Sequence, residues 1–87
     1  MKHITIYAVE ARGQHDETTT PTLYTYKVFG SMKEAQEHLD MVEANLKANP
    51  KVMSRRSERV VECRNADGKW FPRQTWYIKE HHLSISE

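Results

Sequence analysis

The stretch Ser31–Pro50, SMKEAQEHLDMVEANLKANP, decides how the rest of the chain is read. Met32, Ala35, Leu39, Val42 and Leu46 recur at alternating steps of three and four, which places them on one stripe of an α-helix. Ser31 is a good N-cap, and Glu34, three residues on, completes a capping box that satisfies backbone N–H groups otherwise left free. Asn49 suits the left-handed position beyond a helix end, and Pro50 cannot continue the helix. Glu34, Glu37, Asp40 and Lys47 lie off the stripe and are expected to face water.

Working outward from this helix, both flanks read as strands and turns. Toward the N-terminus, Ile4, Ile6 and Ala8 alternate with Thr5, Tyr7 and Val9, the pattern of a half-buried strand over Met1–Ala11. Gly13 is expected to break that strand, and Arg12–Pro21 to form a polar connector. The second strand spans Thr22–Phe29, with Tyr24, Tyr26 and Val28 on one face and Leu23, Thr25 and Phe29 on the other. Gly30 then turns into the helix. After the helix, Lys51–Glu58 has no clean period and reads as an irregular connector, and Arg59–Arg64 reads as the third strand. Asn65-Ala66-Asp67-Gly68 fits a type I turn closed by a left-handed glycine. That hairpin loop pairs Arg64 with Trp70 and Cys63 with Phe71, and lays Arg64 over the Trp70 ring. The fourth strand covers Lys69 to about Lys79, with Pro72 at an edge or bulge. Glu80–Glu87 is either an extension of it or a frayed tail, with Leu83 and Ile85 as docking residues.

The expected fold over residues 1–87 is therefore a single two-layer α+β domain, ββαββ, with one helix packed on a four-stranded, mainly antiparallel sheet. Two strand arrangements share this order. One is a β-grasp, with the first and last strands parallel at the centre. The other is an antiparallel sheet with the two hairpins side by side.

Composition bounds the function. An 87-residue chain allows one modest core. Charged residues make up 29% and apolar ones 38%, with a mean hydropathy of −0.81, so aromatics and Met must supply much of the burial. A thin core of this kind favours a partner or a homodimer that completes it. The net charge of +1 carries no global nucleic-acid signature. Its distribution is uneven. Residues 31–50 set two Lys against four carboxylates, a balance of −2, and residues 51–73 set seven Lys and Arg against three carboxylates, a balance of +4. Cys63 is the sole cysteine, which excludes an intramolecular disulfide and fits a reducing cytoplasm. Residues 1–11 lack the apolar core of a signal peptide, and no segment reaches transmembrane length.

No catalytic, metal or cofactor set stands out. His81 and His82 are adjacent and point to opposite sides of a strand, and His3, His15 and His38 lie in other elements, without the spacing of a zinc site. Cys63 sits among strand residues without a neighbouring base, as a small buried hydrophobe would. Glu34, Glu37, Asp40 and Glu43 step along the wet face of the helix. Gly13, Gly30 and Gly68 are isolated, so no phosphate loop exists. The expectation is a protein that is not an enzyme. A pocket around Cys63, or a histidine with a close base, is the feature that would point the other way.

The basic stretch and its tryptophans are the strongest functional signal. Tyr7, Tyr24, Tyr26, Trp70, Trp76 and Tyr77 cannot all fit under one short helix. Arg, Trp and Tyr dominate protein–protein hot spots, which makes Arg55, Arg56, Arg59, Arg64, Trp70 and Trp76 the candidate partner-binding residues. The alternative is a nucleic-acid-binding module, in which bases stack on strand aromatics beside the arginines.

A short N-terminal strand hairpin, Phe29-Gly30-Ser31 leading into Lys33-Glu34-Ala35-Gln36-Glu37, and an Asp67-Gly68-Lys69-Trp70 hairpin together resemble the small stand-alone α+β proteins of bacteriophages and mobile elements. Many of that group are anti-defence proteins, anti-CRISPRs among them, which bind and block a host protein. The resemblance lies in size and element order, and it implies a protein-binding inhibitor without carrying over any residue.

Overall fold

Ser31 caps the helix as its sequence requires. Its backbone is extended (φ −140°, ψ 152°), and its Oγ accepts the Glu34 N–H at 3.2 Å. The same hydroxyl donates to Glu34 Oε1 at 3.1 Å, so the two side chains close the first turn on each other. The computed structural model describes residues 2–14, 20–65 and 73–86. Within them the helix, α1, runs Met32–Lys47. Beyond it Asn49 reverses the chain: its Oδ1 accepts the Lys51 N–H at 3.0 Å and its carbonyl accepts the Val52 N–H at 3.3 Å.

The strands are β1 (Lys2–Gln14), β2 (Thr22–Phe29), β3 (Val52–Arg56), β4 (Val60–Asn65) and β5 (Arg73–Ile85). They form one sheet in the order β2-β1-β5-β4-β3, with every neighbouring pair antiparallel. The α+β class and the side-by-side hairpins stand. The strand count of four is corrected to five, and the β-grasp is excluded because β1 and β5 run antiparallel.

The fifth strand comes from the segment read as a connector. Val52, Ser54 and Arg56 are half-buried while Met53 and Arg55 are exposed, which is a strand period. Arg56 disguised it, because an arginine on the covered side does not read as apolar. β1 also outruns its expected end: Gly13 lies within the ladder, opposite Thr22 on one side and Gln74 on the other. The C-terminal stretch resolves in favour of extension, since β5 continues to Ile85 and pairs with β1 down to Lys2. The expected pairing of Cys63 with Phe71 is corrected: Cys63 lies opposite Gln74, three positions further along the chain. The expected Asp67–Gly68 turn, the Arg64–Trp70 stacking and the Pro72 bulge lie outside the described residues, as does the middle of the 12–21 connector.

The core sits between α1 and one face of the sheet. Ala35, Leu39 and Val42 of the helix pack on Val9, Val61 and Ile78, with Met32 and Leu46 at its margins. The stripe predicted from spacing is therefore the buried stripe. Leu39, wholly buried, contributes about 1.5–3 kcal/mol by transfer from water.

A register shift between Val9 and Glu10 sets the faces of β2. The extra residue leaves Tyr24, opposite Ala11, and Phe29, opposite Tyr7, both on the helix side. Tyr26 joins them: its ring and that of Phe29 flank the His38 ring at 5.3 and 5.4 Å. Val28 falls on the opposite face, against Ala8. The expected grouping of Val28 with Tyr24 and Tyr26 is corrected accordingly. Among the described residues no helix is long and apolar enough to cross a membrane.

Candidate functional site

The sheet has one covered face and one open face. Side chains alternate between faces along each strand, and directly opposed residues share a face. Because Val9, Val61 and Ile78 point to the helix, the register assigns the open face to Ile4, Ile6, Ala8, Glu10 and Arg12 of β1. From β5 it assigns Thr75, Tyr77, Lys79, His81, Leu83 and Ile85. β4 and β3 add Val60, Glu62, Arg64, Met53 and Arg55.

Nine large apolar side chains are exposed among the described residues, and six of them are on this open face: Ile4, Leu23, Val28, Met53, Leu83 and Ile85. They are not covered by any element of the chain that the structure describes. Basic groups accompany them. Lys2, Arg12, Arg55, Arg64 and Lys79 stand against Glu10 and Glu62, five against two, a balance of +3 among the described side chains. Arg55 meets Glu62 only at 3.8 Å and is 76% exposed, so that pair is worth about 0–1 kcal/mol and leaves the guanidinium available.

A polar cluster crosses the middle of this face. Glu10 accepts from Tyr77 Oη at 3.2 Å and meets His81 Nε2 at 3.0 Å. Glu10 and His81 reach toward each other along the register past Ala8, which is 2% exposed. Burial, then the hydrogen bond and charge of Glu10, raise the Tyr77 phenol above its usual pKa, and Arg12 works against them. A histidine with a close carboxylate is therefore present, although spacing along the sequence gave no sign of it. It lies on a sheet surface, with the His81 side chain 36% exposed. Among the described residues, no group of three or more His, Cys, Asp or Glu side chains gathers to hold a metal.

The six residues singled out from sequence do not share one surface. Arg55 and Arg64 lie on the open face. Arg59 is exposed in the bend between β3 and β4, where its carbonyl accepts the Ile78 N–H at 2.9 Å. Arg56, opposite Val61, turns to the helix side. Its Nη1 lies 2.8 Å from Asp40 Oδ1 and 3.8 Å from Glu43 Oε1, while Nε donates to the Ser57 carbonyl at 2.7 Å. Nη1 makes no aligned hydrogen bond despite the short ion-pair distance, so the attraction to Asp40 is one of charge. Arg56 is thus a strut between β3 and α1. Trp76, opposite Val61 on β5, packs at the edge of the core on the helix side. Trp70 lies outside the described residues.

The helix side carries the other aromatic groups. Tyr24, Tyr26, Trp76 and Leu46 border a groove of about 220 Å³ with the carboxamides of Asn45 and Gln74, and Gln74 Nε2 donates to Tyr24 Oη at 2.6 Å. Rings and arginines are therefore largely on opposite faces. Cys63 is half-buried, and burial raises its thiol pKa, against a backbone hydrogen bond from Gln74.

Compared with known protein families, curated proteins and solved structures, the chain matches none.

Proposed function

We propose that this chain is a non-catalytic binding protein that acts by laying the open face of its sheet against a partner protein whose surface is both apolar and acidic. The observation that carries the proposal is the concentration of exposed apolar side chains on that one face, mixed with a +3 balance of charge. The partner must be acidic, because two copies of the face would oppose like charges. The resemblance to small phage anti-defence proteins extends the proposal to a host defence complex as the partner blocked.

Nucleic acid is the second reading, and the fold supports it less. Stacking requires rings beside the arginines. Among the described rings only Tyr77 and His81 are on the basic face, both half-buried and both held by Glu10.

Capture from a host lysate at mild salt tests the proposal, with a Met53→Glu/Leu83→Glu double variant beside the wild type and Met41→Lys on the helix as control. A specific protein retained by wild type and Met41→Lys and lost by the double variant is expected. Equal capture by all three, or none by any, would overturn it. Anisotropy with labelled single strands covers the second reading. Low-salt binding abolished by changing Arg55 and Arg64 would move the function to nucleic acid.

A further inference from the structure

The two edges of the sheet are built differently. β3 is short, five residues, follows Lys51 and ends on Arg55 and Arg56. Short length and charge are the usual devices that keep a strand edge from pairing with another chain. β2 has neither. It is eight residues long, lies at the other edge, and carries a single charge, Lys27. Seven of its eight residues are exposed, including Leu23, Tyr24, Tyr26 and Val28. Its outward backbone N–H and C=O groups have no strand beside them in the described sheet.

We propose that β2 pairs antiparallel with β2 of a second copy, joining two sheets edge to edge into one of ten strands. A two-fold axis perpendicular to the sheet, passing between Thr25 and Tyr26, generates the pairing. It places Leu23 opposite Val28 of the second copy, Tyr24 opposite its Lys27, and Thr22 opposite its Phe29. The bulge selects this register. Tyr24 and Phe29 are on the helix side, Lys27 sits over the Phe29 ring at 5.4 Å, and Leu23 and Val28 are on the open face. Each of those three pairs therefore joins residues of the same face, and faces mix only at the axis itself, where the bulge interrupts the pleat and Thr25 meets Tyr26. Moving the axis onto Thr25 would put Leu23 opposite Lys27 and Thr22 opposite Val28, mixing faces.

The pairs themselves are favourable types. Leu–Val contacts occur twice on one side of the sheet, and Tyr–Lys contacts, with the ammonium near the ring, occur twice on the other. The obstacle to stacking two open faces does not arise here, because the only charge on β2 meets a tyrosine. The perpendicular axis also leaves both helices on one side and both basic faces on the other. The proposal does not require the partner assigned above: Leu23 and Val28 also belong to the open face, but the readout is mass and cross-linking of the chain alone, and the variants leave Met53 and Leu83 untouched.

Two measurements decide it. Sedimentation of the 87-residue chain over a dilution series from micromolar to submillimolar should show twice the 10.3 kDa monomer mass. Leu23→Lys/Val28→Lys should return it to monomer with an unchanged circular dichroism spectrum, since both side chains are at least half exposed. Mild oxidation of Leu23→Cys/Val28→Cys, in a Cys63→Ala background, should give a covalent dimer, and Val28→Cys alone should not. The Val28 positions of the two copies are five residues apart along the strand in this register, too far for a disulfide. A wild type that stays monomeric throughout, a folded lysine variant that remains dimeric, or cross-linking by Val28→Cys alone to the same extent would overturn the proposal.

Discussion

His38 is the residue whose role the sequence concealed. It stands one position before Leu39 and is not one of the apolar residues of the stripe, yet it is 9% exposed, between the rings of Tyr26 and Phe29. Its Nε2 has no hydrogen-bond partner. Burial, and secondarily the nearby Lys27 charge, lower its pKa below 6.5. The folded state therefore binds fewer protons than the unfolded state as pH falls past 6.5, and stability drops in that window. Above 6.5 both states are neutral at this site and the cost is absent. Urea unfolding at pH 7.5 and pH 5 should show the loss for wild type, and His38→Leu should reduce the difference between the two pH values. A difference that is unchanged in the variant would assign the pH dependence elsewhere.

At the scale of elements, α1 is the only cover the sheet has among the described residues, and one side chain anchors it. Leu39→Ala removes a wholly buried group from the centre of the core and should cost about 2–5 kcal/mol. In a domain of this size that is a large share of the total stability, so chemical denaturation should show the midpoint collapsing. The end of the helix is held separately. Ser31→Ala deletes the acceptor for the Glu34 N–H and should cost about 1 kcal/mol. Arg56 ties β3 to α1 by charge, through Asp40 and Glu43 and the Gln36 carbonyl at 3.5 Å. Its half-buried position explains why two neighbouring arginines can occupy adjacent strand positions: they point to opposite faces.

At the scale of the whole molecule, the two central strands run past the body they support. β2 pairs with β1 only over Tyr7–Gly13, and β4 with β5 only over Gln74–Tyr77. Lys2–Ile6 and His81–Ile85 therefore continue as a two-stranded ribbon, and the molecule extends 53 Å along its longest axis. The ribbon is amphipathic. Ile4, Ile6, Leu83 and Ile85 take the open face, while on the other face Thr5 meets His82 at 3.2 Å and Ser84 meets His3 at 3.3 Å. A two-stranded ribbon is marginal by itself in water. Amide exchange at Ile4 and Leu83 should be fast and governed by local opening, and that at Val9 and Ile78 should approach the global limit. Uniform protection along β1 would show that the ribbon is held by something beyond its own pairing, such as an occupied open face.

What the sequence determined by itself is what local physics can specify. The Ser31 cap, the three-four spacing from Met32 to Leu46 and the Pro50 stop define a helix within twenty residues, and the alternation Ile4–Val9 defines a strand, because each depends only on neighbours along the chain. The candidate face was legible in part: Arg55 and Arg64 are on it, and its apolar members Leu83 and Ile85 read as docking residues of the C-terminal stretch. Tertiary structure decided the rest. Val52–Arg56 became a strand because β4 offered it an edge and Asp40 offered Arg56 a counter-charge. A single extra residue in β2 turned Tyr24, Tyr26 and Phe29 to the helix and Val28 away from it, and the registers of β3, β4 and β5 placed Arg56 and Trp76, both opposite Val61, on the other side of the sheet from Arg55 and Arg64. Glu10, Tyr77 and His81 met only because β1 and β5, at opposite ends of the chain, run antiparallel in a register that long-range packing sets and no local pattern encodes.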